Sequence, residues 1–153
     1  MADGRAEREL AIAQHFGWEV IDEAERRDEV SCTAPDGSRI ALRFDWPSVE
    51  TGNHYLEVES RENRDSSWKA SAFGLARKKV DLWVVVNAEE VYVADVKLLN
   101  KRLKRVRGDI PDHVSRRNTD DLNKRMYARG HLLPLDERED CCKVICQSPV
   151  EPE

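Results

Sequence analysis

The sequence predicts an α/β or α+β domain whose sheet is covered on both faces. Two observations carry this. The order of patterns along the chain is helix, three or four strands, helix, two strands, helix, and a run of strands with helices at both ends must bury two sheet faces. The 153 residues also suit one domain that buries a core without disulfide or metal staples. We place that domain at residues 1–140, with 141–153 as a C-terminal tail, partly disordered.

Each element follows from its local pattern. Residues 5–16 read as an amphipathic helix, capped by Asp3 and ended by Gly17. Its stripe is Ala6, Glu9, Ala13 and Phe16, so a carboxylate lies on it, either at the stripe's edge reaching water or pointing into a polar site. Trp18 to Ile21 is a short strand. Glu29 to Thr33 and Ser38 to Asp45 flank a Pro35-Asp36-Gly37 turn. In the second run Ile40, Leu42 and Phe44 alternate against Ala41, Arg43 and Asp45. Trp46-Pro47 breaks it, and His54 to Ser60 follows as a strand with Leu56 and Val58 opposite Tyr55, Glu57 and Glu59. Arg61 to Ser67 is a loop, and Trp68 to Lys79 can form a helix that Gly74 weakens. Val80 to Val86 and Glu90 to Ala94 are buried strands. Val96 to Val106 is a helix with Leu98, Leu99, Leu103 and Val106 apolar. Gly108 to Thr119 is a loop, Asp121 to Ala128 a helical piece and Gly130 to Leu135 an extended segment.

The net charge of −5 hides a polarised chain. Lys97 to Arg129 carries +7, which leaves −12 for the rest. The basic stretch is either a solvated helix face or a phosphate-contacting surface, with Lys97, Lys101, Arg102, Lys104, Arg105 and Arg107 as its candidates. The four cysteines lack zinc-finger spacing and suit a reducing, cytoplasmic setting. No apolar run reaches the length of a membrane span, and the charged N-terminus is unlike a signal peptide.

Chemistry is expected at Asp45, Glu57 and Glu59. Asp45 ends one strand, and the two glutamates lie two residues apart on the next. Pairing of those strands as a hairpin through Trp46 to Asn53 would bring three carboxylates together. Such a cluster repels itself unless a cation intervenes. Hard oxygen ligands suit Mg²⁺ or Mn²⁺, which can acidify a water and stabilise a leaving oxygen. The plainer reading makes Glu57 and Glu59 a solvent face and Asp45 the start of a turn. Trp68 and Trp83 read as core, and His15, His54, His113 and His131 as structural.

The succession Phe44-Asp45, Thr51-Gly-Asn53, Glu57-Val-Glu59-Ser60, Ser71 and Lys79-Val-Asp81-Leu-Trp83 resembles the PD-(D/E)XK nuclease superfamily, closest to its small phage-type members. The likeness spans about Glu7 to Leu135, on loose motifs whose order fits the topology above. It implies a restriction-endonuclease-like fold, with a central mixed sheet of four to five strands flanked by helices. It also implies Asp45 and Glu57 as metal ligands, with Glu9 matching the family's N-terminal helix acid. Glu59 stands where the family usually has lysine, an E-x-E variant known in the superfamily. Either Glu59 acts as base or extra ligand, or a lysine from the following helix (Lys69, Lys78 or Lys79) reaches in. Asp81 more plausibly caps or pairs structurally.

The leading expectation is a Mg²⁺- or Mn²⁺-dependent DNA endonuclease, phage or mobile-element encoded, acting in the cytoplasm (a host's, if viral). Asp45, Glu57, Glu59 and Lys79 are its catalytic set, DNA its partner, no membrane is involved, and homodimerisation is left open. A binding module for nucleic acid or a host protein, with turnover lost, is the runner-up. A third reading is an acidic protein with an ordinary basic face.

Overall fold

In the computed structural model, residues 4–62, 65–105, 113–118 and 125–151 are described. The chain forms an α+β architecture with two sheets where the sequence suggests one. The larger is mixed and six-stranded, in the order β1-β2-β3-β6-β7-β10. Its strands are β1 (Glu19–Val20), β2 (Cys32–Thr33), β3 (Arg39–Phe44), β6 (Leu82–Val86), β7 (Glu90–Asp95) and β10 (Cys142–Gln147). The smaller is antiparallel and four-stranded, in the order β5-β4-β9-β8. It comprises β4 (Asn53–Arg61), β5 (Lys69–Ala70), β8 (His113–Asn118) and β9 (Arg125–Pro134).

Helix α1 (Arg5–Phe16) closes one face of the large sheet. Ile12 and Ala13 pack on Ile40, Leu42, Val84, Val86 and Val91, with Phe16 beside them. Ala6, expected on that stripe, is exposed, and Ile12 takes its place. Gly17 ends the helix in the left-handed region at φ +74°, as its lack of a Cβ allows. The start carries no side-chain cap; Asp3 lies outside the described residues.

The opposite face meets the small sheet, α3 (Phe73–Ala76) and α4 (Val96–Arg105). There Ala41, Trp83, Val85, Tyr92 and Ala94 pack with Leu56, Leu133, Phe73, Ala76, Val96, Leu99 and Leu103. The buried stripe of α4 is therefore Val96, Leu99 and Leu103 at helical spacing, while Leu98 is exposed.

Turn chemistry holds the strands in register. Asp36 accepts from the Ser38 amide at 2.9 Å, and Gly37 takes φ +88° between β2 and β3. Between β6 and β7, Asn87 accepts from the Glu89 and Glu90 amides at 2.9 and 2.8 Å. Strand β3 runs parallel to β6, so the chain must cross over between them, and it does so through the small sheet.

Six expectations are corrected. β3 and β4 do not form a hairpin: β3 pairs with β2 and β6, and β4 with β5 and β9. Residues 113–118, expected as loop, form β8, and the helical piece expected up to Ala128 gives way to β9 from Arg125. Dense arginine obscures both, and pairing of β9 with β4 and of β8 with β9 overrides local propensity. The Trp68–Lys79 helix shrinks to the single turn α3 after β5. Gly74 there packs so close that a Cβ would sit 1.9 Å from the Val58 carbonyl oxygen. The sheet count rises from four or five strands in one sheet to two sheets. Finally, part of the expected tail is strand β10, antiparallel to β7, with Ile145 and Cys146 packed on the core.

Candidate functional site

Asp45 leaves the end of β3 with its amide donating to the Val86 carbonyl at 2.8 Å. The Ser48 hydroxyl donates to the Asp45 carbonyl at 2.8 Å and fixes the turn into α2 (Ser48–Thr51). By alternation along β3, Asp45 shares the face of Ala41, away from α1. Its Oδ2 lies 2.6 Å from Nδ1 of His54, on β4. The Trp83 indole N–H, on β6, donates to His54 Nε2 at 2.9 Å. An indole only donates, so Nε2 must present its lone pair and the imidazole proton sits on Nδ1. His54 is therefore a neutral donor to Asp45, locked between an acceptor and a donor. It is 4% exposed, and Trp83 is 2% exposed. Phe73 meets Trp83 edge-on at 5.2 Å, and the Arg43 guanidinium lies 4.7 Å over its ring.

Glu57 and Glu59 do not stand side by side. The register of β4 against β9 slips between them, so Glu57 opposes Gly130 and Glu59 opposes the adjacent Arg129. The two-residue period is interrupted by one extra residue, Val58. Glu57 Oε2 accepts from the Ser71 hydroxyl at 2.9 Å, and the Ser71 amide donates to Val58 O at 3.0 Å. Glu59 instead takes two bonds from Arg129, at 2.8 and 3.1 Å. Arg129 and Arg61 each lie 4.4 Å from the Trp68 ring centre, so that ring is engaged by guanidiniums.

Glu9 is not brought to Asp45. It is 5% exposed on the α1 side of the large sheet, 2.8 Å from Arg26 and 3.6 Å from Arg5. Its buried charge, with burial itself the larger cause, pushes the neighbouring Cys32 thiol up to about 11. Lys79 is exposed after α3 and makes no ion pair with Asp45, Glu57 or Glu59. Lys69 and Lys78 are exposed as well. Asp81 accepts from the Arg39 amide at 2.8 Å, a structural pairing that holds its carboxyl below the ordinary range. Among the described residues no three His, Cys, Asp or Glu side chains are grouped to hold a metal.

On α4, Lys97 and Lys101 are exposed. Arg102 is committed elsewhere, bonding both Asp140 oxygens at 2.9 and 3.0 Å. Arg107 and the side chains of Lys104 and Arg105 lie outside the described residues.

His54, read from the sequence as structural, is where the structure adds most, by giving it Asp45 and Trp83 as partners. A signal existed: by period two it shares the apolar side of β4 with Leu56, where an imidazole needs partners. No protein-family model matches the sequence, and no curated protein matches it either.

Proposed function

We propose that the protein is a divalent-cation-dependent DNA endonuclease whose essential acids are Asp45 and Glu57. The observation that carries this is the neutral partner of Asp45, where Glu9 and Glu59 have arginines. Glu9 and Glu59 are held by arginines, at 2.8 Å from Arg26 and from Arg129. Asp45 is held by a neutral imidazole and Glu57 takes a serine hydroxyl. The neutral His54 donor orients Asp45 without cancelling its charge, which suits a cation ligand. As a donor set, Asp45 and Glu57 would be the one or two carboxylates that Mg²⁺ commonly uses, with water and phosphate completing its shell. That set does not supply the third and fourth carboxylates that the sequence suggested.

Such a cation supplies charge neutralisation and an acidified water when bound. The chain's own residues do the rest. His54 fixes the rotamer of Asp45, and Trp83 fixes the tautomer of His54. Ser71 orients Glu57. Lys97 and Lys101 offer charge for flanking phosphates. His54 and Ser71 are positioning residues, and Lys79 has no assigned part.

The test is cleavage of a panel of duplex, single-stranded, flap and branched DNAs in Mg²⁺ or Mn²⁺. Product that vanishes with chelator and in Asp45→Asn supports the reading. No product on any substrate, with DNA affinity intact, favours the binding module, a reading to which the arginine-paired Glu59 lends weight.

A further inference from the structure

A cleft of 310 Å³ opens where β3 ends, lined by Arg5, Arg8, Arg43, Phe44 and Trp46. Three arginines and two aromatic residues line it, with no carboxylate among its described lining residues. Phe44 and Trp46 sit 5.7 Å apart with their rings tilted by 32°. The Arg8 guanidinium lies 5.6 Å over the Trp46 ring. Arg5 pairs with Glu9 at 3.6 Å, while the Arg43 guanidinium is turned to Glu29, at 2.6 Å, and to the Trp83 ring. The Arg8 Nε donates to the Glu151 carbonyl at 3.2 Å.

Rings beside fixed cationic groups are the chemistry of single-stranded nucleic acid. Every base has a π face to stack, and every phosphate an oxygen pair for a guanidinium. The volume is at the lower end of those that hold small ligands, which suits about one nucleotide. The position matters as much as the chemistry, because Arg43, Phe44 and Trp46 bracket Asp45 in the chain. We infer that this cleft is a single-stranded DNA subsite. In it Trp46 and Phe44 stack one base, and Arg5 and Arg8 hold the neighbouring phosphates, beside the acid that carries the chemistry. The inference rests on the nuclease reading for its choice of DNA, and it requires no turnover.

The test is fluorescence anisotropy of a labelled oligo(dT) with the full chain, in chelator so that nothing is cut. A second oligonucleotide carries abasic sites, and a third is annealed as a duplex. Trp46→Leu should weaken oligo(dT) binding roughly tenfold, the usual scale for one stacked base. Arg8→Gln, an exchange on a helix surface, should weaken it several-fold and flatten the salt slope by about 0.7. Abasic sites should weaken the wild type and leave Trp46→Leu unchanged. Wild-type affinity in both variants would overturn the subsite. So would equal wild-type affinity for abasic and base-bearing strands, tighter binding of the duplex, or no binding of oligo(dT). If Trp46→Leu fails to fold, Arg8→Gln decides alone. Intact binding without cleavage in Mg²⁺ would sink the nuclease reading and leave this subsite standing.

Discussion

Gly130→Ala should break the strand pairing that carries Glu57. A Cβ at Gly130 would stand 1.9 Å from the Leu56 carbonyl oxygen and 2.9 Å from the Glu57 Cα. Ordinary contact begins near 3.4 Å, so β9 and β4 must separate by about 1.5 Å. A hydrogen bond near its usual ~2.9 Å would then stretch beyond any useful length. Two flanking bonds lost at ~0.5–1.5 kcal/mol each, with overpacking strain of ~1–3 kcal/mol, give about 2–6 kcal/mol. For a chain this long each kcal/mol moves the melting temperature by about 2–4 °C, so the drop should be about 5–20 °C. Gly37→Ala is the control: φ there is +88° but the space is open, so it adds only local strain of ~1 kcal/mol. Differential scanning calorimetry of both variants decides. A Gly130→Ala melting point no lower than that of Gly37→Ala would refute the close approach, and with it the register that separates Glu57 from Glu59.

Three further outcomes follow from the same geometry. Trp83→Phe removes the N–H that satisfies His54 Nε2, at a cost of about 1–3 kcal/mol. The His54 ¹⁵N shifts should then move from the single Nδ1–H tautomer towards a mixture; unchanged shifts would contradict the chain of bonds. Cys32 titrates near 11 in the fold against an ordinary 9.0. Because the folded value is the higher, its contribution is complete below pH 9 and lost as pH rises through 11. The melting temperature should fall across that window, and less steeply in Cys32→Ala. The Glu59–Arg129 pair is about one-third exposed on each side, so Glu59→Gln should cost only ~0–1 kcal/mol and keep cleavage. Glu57→Gln should abolish cleavage, as product yields in Mg²⁺ will show.

Local signals made much of this fold readable. Alternation in Arg39–Phe44 and the apolar run Leu82–Val86 announce the central strands. Asp36-Gly37 and Gly17 announce turns that the backbone takes. The second sheet is hidden because β8 and β9 carry arginines and polar residues at strand positions, and only pairing makes them strands, β9 with the distant β4 and β8 with β9. The carboxylates were legible as residues and illegible as a cluster. Period two puts Glu57 beside Glu59, and a single-residue slip in register undoes it. The stripe's pattern favours Glu9 at its edge in water, but the carboxylate is buried and paired. Its partner, Arg26, lies in a segment whose path no periodicity reveals. His54 needed two partners from β3 and β6, strands far apart in the pattern and adjacent only in space.

The central claim is that Asp45 and Glu57, and neither Glu9 nor Glu59, hold the cation. Titration of Mn²⁺ followed by electron paramagnetic resonance tests it without any substrate. The wild type and Glu59→Gln should bind Mn²⁺ alike, while Asp45→Asn and Glu57→Gln should each weaken it at least about tenfold, or ~1.4 kcal/mol. Wild-type Mn²⁺ affinity in Asp45→Asn, or its loss in Glu59→Gln, would contradict the account.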